Sequence, residues 1–338
     1  MPIDIVGIFR CTAPMPRKPR IEYAGAVYHV MDRGDHLETI FRDDGDRELF
    51  LKTLGQACER SGWRVHSYVL MGNHYHMLLE TPEPNLSAGM QWLQSTYTIR
   101  HNVKHRLRGH LFQGRYKAIP VDGEDGRYFR TVSDYIHLNP ARAGLVRERL
   151  LDYRWSSFPA LVGAPRKRPR WLCAQWVLEQ GDRAAGRTAL RKGLEQRAQE
   201  DRKGGEIGKE MLKALRRGWC FGSEEFRAAL LDRLDGGAGK GDGMARMHDE
   251  REAERLVKVG LAALAIKKID LAKTPKGSAE KVALASLIRR RTMMTNGWLS
   301  KNLHMGDPGR VCRYCAAAAG RPDIRKLVSK LEMSIGKA

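Results

Sequence analysis

The sequence predicts an α+β domain followed by an all-α region, and three observations carry that reading. Between Gly25 and Val121, segments with alternating apolar residues interleave with segments of helical period in the order β-α-β-β-α-β. That order is the ferredoxin-like one, an antiparallel sheet with helices on one face. From Gly163 onward the alternation disappears and only helical spacing remains. The 338 residues carry a formal net charge of +21, a balance that calls for an anionic polymer as partner.

The first strand is Gly25-Ala-Val-Tyr-His-Val-Met31, ending at Asp32-Arg-Gly34. Asp43 to Arg60 follows as a helix, with Leu49, Phe50, Leu54 and Cys58 at helical spacing. Arg64 to Thr81 is a hairpin folded about Gly72-Asn73, its flanks rich in β-branched, aromatic and aliphatic residues. After Pro82-Glu-Pro-Asn85, Leu86 to Arg106 is a second amphipathic helix on Leu86, Met90, Leu93, Tyr97 and Val103. Gly114 to Val121 is a fourth strand, and Pro120 assigns it to an edge or a strand end. Gly126 to Leu138 is a third helix, with Pro140 set against helical geometry at Asn139. Ala141–Val146 and Trp155–Phe158 close this domain. Residues before Met15 read as an unstructured extension, which places the domain at 15–162.

A region at 163–243 is expected to be a basic linker and helical segment. Ala164-Pro-Arg-Lys-Arg-Pro-Arg170 opens it, and Glu206–Leu215 and Ser223–Leu234 have helical character. Gly236 to Gly243 reads as a flexible spacer without a Walker pattern. The last region, 244–338, is helical and ends in a helix-turn-helix-like pattern. Glu280–Arg291 and Gly297–Leu303 are its first helices, and His304-Met-Gly306 is the turn. Asp307-Pro308 starts a helix over Gly309–Ala319 that offers Arg310, Arg313 and Tyr314 to a groove. Cys312 and Cys315 lack partners at zinc spacing and read as small buried residues.

No apolar run approaches the roughly 20 residues that span a bilayer, and the first residues do not form a secretory signal. Six cysteines scattered over this length fit reduced thiols in a cytoplasmic, nucleoid-associated protein. Between Glu83 and Asp122 there is no carboxylate, while Arg100, Lys104, Arg106, Arg108, Arg115 and Lys117 stand there with His101, His105 and His110. Phosphate contacts call for such residues, and Phe112 among them could stack on a base.

Within the hairpin, His74 and His76 fall on one face of a strand and Tyr75 on the other. Tyr135 and Asn139 are four apart, so on a helix they share a face. Two imidazoles and an amide could hold one divalent ion with open positions, a Lewis acid for a phosphodiester. Tyr135 could then attack phosphorus and hold the strand covalently. Tyr97 is the competing tyrosine, and it lacks an amide one turn away. A second class of function uses the same sequence: a non-catalytic DNA-binding regulator acting through the C-terminal helix-turn-helix. A third, RNA binding on the sheet face, lacks the glycine-aromatic signature of that module.

Three segments, Gly72-Asn-His-Tyr-His-Met-Leu-Leu79, Gly109-His-Leu-Phe-Gln-Gly-Arg-Tyr116 and Asp134-Tyr-Ile-His-Leu-Asn-Pro-Ala-Arg-Ala-Gly144, give the chain a family likeness. Over Met15 to Val162 it resembles the REP-associated tyrosine transposases, single-tyrosine HUH nucleases that move single-stranded DNA. The resemblance implies His74 and His76 as metal ligands, Asn139 as the third, and Mg²⁺ or Mn²⁺ as the ion. It also implies Tyr135 as the nucleophile that forms a 5′-phosphotyrosine, with hairpin-forming repeat DNA as substrate. Whether one chain or a homodimer acts is open at this level.

Overall fold

The computed structural model describes residues 20–178, 181–202, 214–215, 218–235, 241–292 and 294–335. Strands β1 (Ala26–Arg33), β2 (Arg64–Leu70), β3 (His74–Thr81) and β4 (Lys117–Val121) form one antiparallel sheet in the order β2-β3-β1-β4. With helices α1 (Asp44–Ser61) and α2 (Leu86–His105) between them, this is the ferredoxin-like arrangement the sequence predicts.

β3 is apolar on both faces through Met77-Leu78-Leu79, so both faces of the sheet need cover. α1 and α2 take the Tyr75 face, where the Phe50 ring lies 5.0 Å from Tyr75 and 5.1 Å from Tyr97. Burying a ring such as Phe50 contributes about 1.5–3 kcal/mol. The third helix, α3 (Gly126–Arg142), lies on the opposite face, with Ser133 Oγ 2.6 Å from Ser67 Oγ on β2. Helices on one face is therefore correct for α1 and α2 only. α3 also outruns its expected end at Leu138 and carries Pro140 inside it. The proline removes one backbone donor, but Ile136, Leu138 and Pro140 are all buried and hold the last turn in place.

Pro120 does lie on an edge strand. Both sheet edges are then covered by chain from beyond residue 163. Phe221 N donates to Pro120 O at 2.8 Å beside β4, and Cys173 N donates to Val65 O at 2.7 Å beside β2. Leu172, Val177, Leu190, Leu194 and Leu215 are buried in the same core as the sheet. The stretch expected to be a basic linker thus packs as part of the first core. Its Arg168 pairs with Asp182 at 2.6 Å and bonds the carbonyls of Ala160 and Leu161. Helix α4 (Phe158–Val162) precedes it, and α5 (Ala184–Arg202) lies against α3.

The expected helix at Glu206–Leu215 lies outside the described residues except for Ala214 and Leu215, as do the N-terminal extension before residue 20 and positions 236–240 of the spacer. Gly241 to Gly243, read as spacer, instead begin a helix. After α6 (Glu224–Asp235), a second core is built by α7 (Gly241–Ala263), α8 (Ala279–Arg291), α9 (Asn296–Asn302), α10 (Pro308–Ala317) and α11 (Pro322–Ile335). α8 to α10 follow the expected helix-turn-helix pattern, and Asp307 caps α10 by accepting from Gly309 N at 2.9 Å. Lys281, fully buried, donates to the Thr274 and His304 carbonyls at 3.0 Å each and so pins the turn before α10. Cys312 is exposed and Cys315 half-buried, contrary to expectation, because α10 turns Val311 to the core instead.

Asp46 ties the start of α1 to the end of α2. Its carboxylate, fully buried, accepts from Lys104 Nζ and His105 Nε2, both at 2.8 Å, and from Arg42 N at 2.8 Å. Burial pushes this carboxyl up, but Lys104 and His105 outweigh it and hold the pKa down at about 2. A depressed carboxyl stabilises the fold fully above the ordinary carboxylate pKa and loses that effect as pH falls toward 2. Asp46→Asn is expected to cost about 1–3 kcal/mol at pH 7, the worth of a charged hydrogen bond. Denaturant melts should show that deficit shrinking between pH 4 and pH 2; an equal deficit at both ends of that range would remove the ion pair from the account.

Candidate functional site

β3 and α3 bring His74, His76 and Tyr135 together on the face opposite Tyr75. The rings of His74 and His76 lie 5.3 Å apart, and Tyr135 is edge-on to His76 at 5.6 Å. Helical geometry persists through Asn139, so Tyr135 and Asn139 are one turn apart as required. Tyr135 is 1% exposed, its ring buried against His76.

The hydrogen bonds around these side chains fix which of their atoms carry protons. Asn73 Nδ2 donates to Leu37 O at 3.1 Å, which orients the amide so that Asn73 Oδ1 faces His74 Nδ1 at 2.8 Å. An amide oxygen only accepts, so His74 carries its proton on Nδ1. His29, on β1 and on the same face, places Nδ1 3.1 Å from Leu215 O and Nε2 3.0 Å from His76 Nδ1. Burial drives its pKa down to about 3, against the smaller opposing pull of the Leu215 carbonyl, so the ring is neutral. Its one proton therefore faces Leu215, and its Nε2 accepts from His76 Nδ1–H. Both strand histidines thus commit Nδ1 to a hydrogen bond. Asn139 Nδ2 donates to Tyr135 O at 2.8 Å, which leaves Oδ1 as its donor atom toward an ion.

Two imidazoles and an amide oxygen are donor types that suit a divalent ion with open positions for a phosphate, and hydrogen bonds of this kind orient metal ligands. His29 has no place in the expected constellation. Its signal in the sequence is weak: a histidine at an alternating position of an otherwise apolar strand, meaningful only once the β1–β3 register is known. Arg33 is opposite His74 in that register and was likewise missed; its Nε donates to Gln113 at 2.6 Å.

The basic residues do not share one surface. Lys117 pairs with Met31, which pairs with His76, so the lysine stands in the histidine's own row two strands away. Arg106, Arg108 and Arg115 are exposed around the loop that leads into β4. Lys104 is committed to Asp43 and Asp46, at 2.6 and 2.8 Å. Arg100 is half-buried on α2, donating to Thr53 Oγ1 at 2.7 Å. Arg310 and Arg313 are exposed on α10 in the second core. Tyr97 is buried on the far face of the sheet, its hydroxyl donating to Ile40 O at 2.7 Å.

Among the described residues, Asp46, His101 and His105 also stand close enough to share an ion. The Lys104 ammonium already balances the Asp46 charge, so an ion there would have to displace it. The cluster serves first as the bracket between α1 and α2.

Residues 23–139 match the family described as transposase IS200 like. Among solved structures, a REP-associated tyrosine transposase bound to a REP hairpin is similar over 47% of this chain and 92% of that one, at 15% identity and a TM-score of 0.39. No curated protein matches. Among the described residues no helix is long and apolar enough to cross a membrane. The sheet, α1, α2, α3 as far as Asn139, and the face carrying His74, His76 and Tyr135 fall within the matched stretch.

Proposed function

We propose that the chain is a REP-associated tyrosine transposase, a metal-dependent endonuclease and strand transferase for single-stranded, hairpin-forming repeat DNA. The observation that carries this is the packing of Tyr135 on α3 against His76 beside His74 on β3, with Asn139 one helical turn from the tyrosine. The motif resemblance supports the same assignment and the substrate class. His74 and His76 through Nε2, with Asn139 through Oδ1, would hold Mg²⁺ or Mn²⁺, which supplies Lewis-acid polarisation of the scissile phosphodiester. Tyr135 Oη attacks phosphorus with loss of its proton; the P–O3′ bond breaks, giving a 5′-phosphotyrosine and a free 3′-hydroxyl. The covalent link conserves the bond energy, so a second hydroxyl can reverse the step on a new strand without an external energy source. Arg33 and Lys117, on the same face, are placed to meet the phosphates of a strand lying across β1.

Covalent capture tests this. Labelled single-stranded hairpin DNA from the host's own repeats, incubated with the protein and Mg²⁺ or Mn²⁺, should give a denaturant-resistant adduct. The adduct should vanish with Tyr135→Phe and with chelator. Survival in Tyr135→Phe would move the nucleophile elsewhere, and binding to several repeat hairpins with no adduct would make the protein a DNA-binding regulator.

The role of His29 is tested separately. His29→Phe should weaken Mn²⁺ binding by about 10- to 100-fold, the usual effect of removing a group that orients a metal-ligating histidine. Titration calorimetry reads the affinity, and nitrogen NMR of the unsubstituted protein should find His29 and His76 protonated at Nδ1. Unchanged affinity, or an Nε2–H on His29, would break the relay while leaving the covalent step standing.

A further inference from the structure

On the side of the sheet away from Tyr135, α1 and α2 face the second core across a trough. Two cavities form it, of about 760 and 610 Å³, and they share Arg60, Trp92 and Arg289 as a common wall. The larger adds Arg100 and Arg325, and the smaller adds Trp298. The Arg60 guanidinium lies over the Trp92 ring at 4.7 Å, and both tryptophans are half-buried, with ring surface open to the trough. Arg289 and Arg325 have no ion-pair partner among the described residues. Most of the neighbouring carboxylates are occupied: Glu332 by Arg290 at 3.1 Å, Glu250 by the Trp298 indole at 2.9 Å, and Glu22 by Ser87. Ser286 Oγ, in the wall of the larger cavity, is buried without a hydrogen bond.

We propose that this trough binds single-stranded DNA at a site separate from the His74–Tyr135 face, with bases stacked on Trp92 and Trp298 and phosphates on Arg100, Arg289 and Arg325. Aromatic faces alternating with cations in a narrow groove are what a single strand requires, because stacking tolerates any base and the backbone needs charge. Cavities of this size are those of small-ligand sites, so each admits an unstacked nucleotide and not the face of a duplex. The Ser286 hydroxyl is an unused donor for a phosphate oxygen. Arg100, one of the six cations of the carboxylate-free interval, takes its place here. The trough is formed jointly by α1, α2 and the second core, which gives the C-terminal helices a function in holding the strand. The site stands whether or not Tyr135 is the nucleophile.

The test uses the full chain and a fluorescein-labelled oligothymidylate without hairpin potential, followed by anisotropy at stepped salt. Each phosphate contact on a single strand contributes about 0.7 to the slope of log affinity against log salt. Arg289→Gln with Arg325→Gln should therefore lower the slope by about 1.4 and weaken binding at least tenfold at moderate salt, with the melting temperature kept. Photocrosslinking of the unsubstituted protein to bromodeoxyuridine-containing strands should place adducts on Trp92 or Trp298. An unchanged slope in the double variant, together with crosslinks confined to β3 and α3, would overturn the proposal.

Discussion

The site depends on where three protons go. Nδ1–H of His74 goes to Asn73 Oδ1, Nδ1–H of His76 to His29 Nε2, and the Asn139 amide proton to the Tyr135 carbonyl. Each of these bonds commits one polar atom of its residue. An imidazole turned to the other tautomer would oppose two lone pairs or two protons at about 3 Å. A buried polar group left unpaired in that way costs about 1–3 kcal/mol. The orientations of His74 and His76 are thus set by bonds reaching back to two backbone carbonyls, Leu37 and Leu215.

This arrangement requires a polar row under α3, and the rest of the structure accommodates it. His137 bonds Ser157 Oγ at 2.7 Å, and burial holds both His29 and His137 at a pKa of about 3, so neither brings a charge into the core near neutral pH. Asp134, next to the tyrosine, is held by Arg130 at 3.0 Å and by Arg197 of α5. The apolar surface that offsets these polar groups lies on the other face, where Phe41, Phe50, Tyr75 and Tyr97 interlock. The α5 segment and Leu215 come from sequence beyond residue 163. The region beyond residue 163 is therefore part of the scaffold that orients His76.

Much of this was legible in the residues. Period-two and helical spacing located the strands and helices, Pro120 marked an edge, and Asp307-Pro308 marked the start of α10. The likeness carried by three short motifs drew His74, His76, Tyr135 and Asn139 into one group, and the fold sets Tyr135 against His76 and His76 beside His74. What was hidden is long-range or made by the backbone. His29 matters only through a register that joins residues 47 positions apart. The passage of α3 through Pro140 is decided by its buried last turn, which overrides a local preference. The edge pairings at Cys173 and Phe221 use N–H and C=O groups that every residue has, so no side-chain pattern announces them.

Charge shows the same limit most clearly. A carboxylate-free interval suggests one basic surface, yet its residues divide between the two faces of the sheet. Lys117 stands in the row of His76, while α2 places Arg100 on the opposite side. Lys104 is committed to carboxylates that lie earlier in the chain, because Asp43 and Asp46 return to it through the fold. A net charge of +21 therefore describes a molecule with cations on both sides of its sheet. A single strand has no preferred face and is flexible enough to pass around an edge. On the proposed reading, a protein charged on both sides would hold it at the His74–Tyr135 face and again behind the sheet, where the two cores meet.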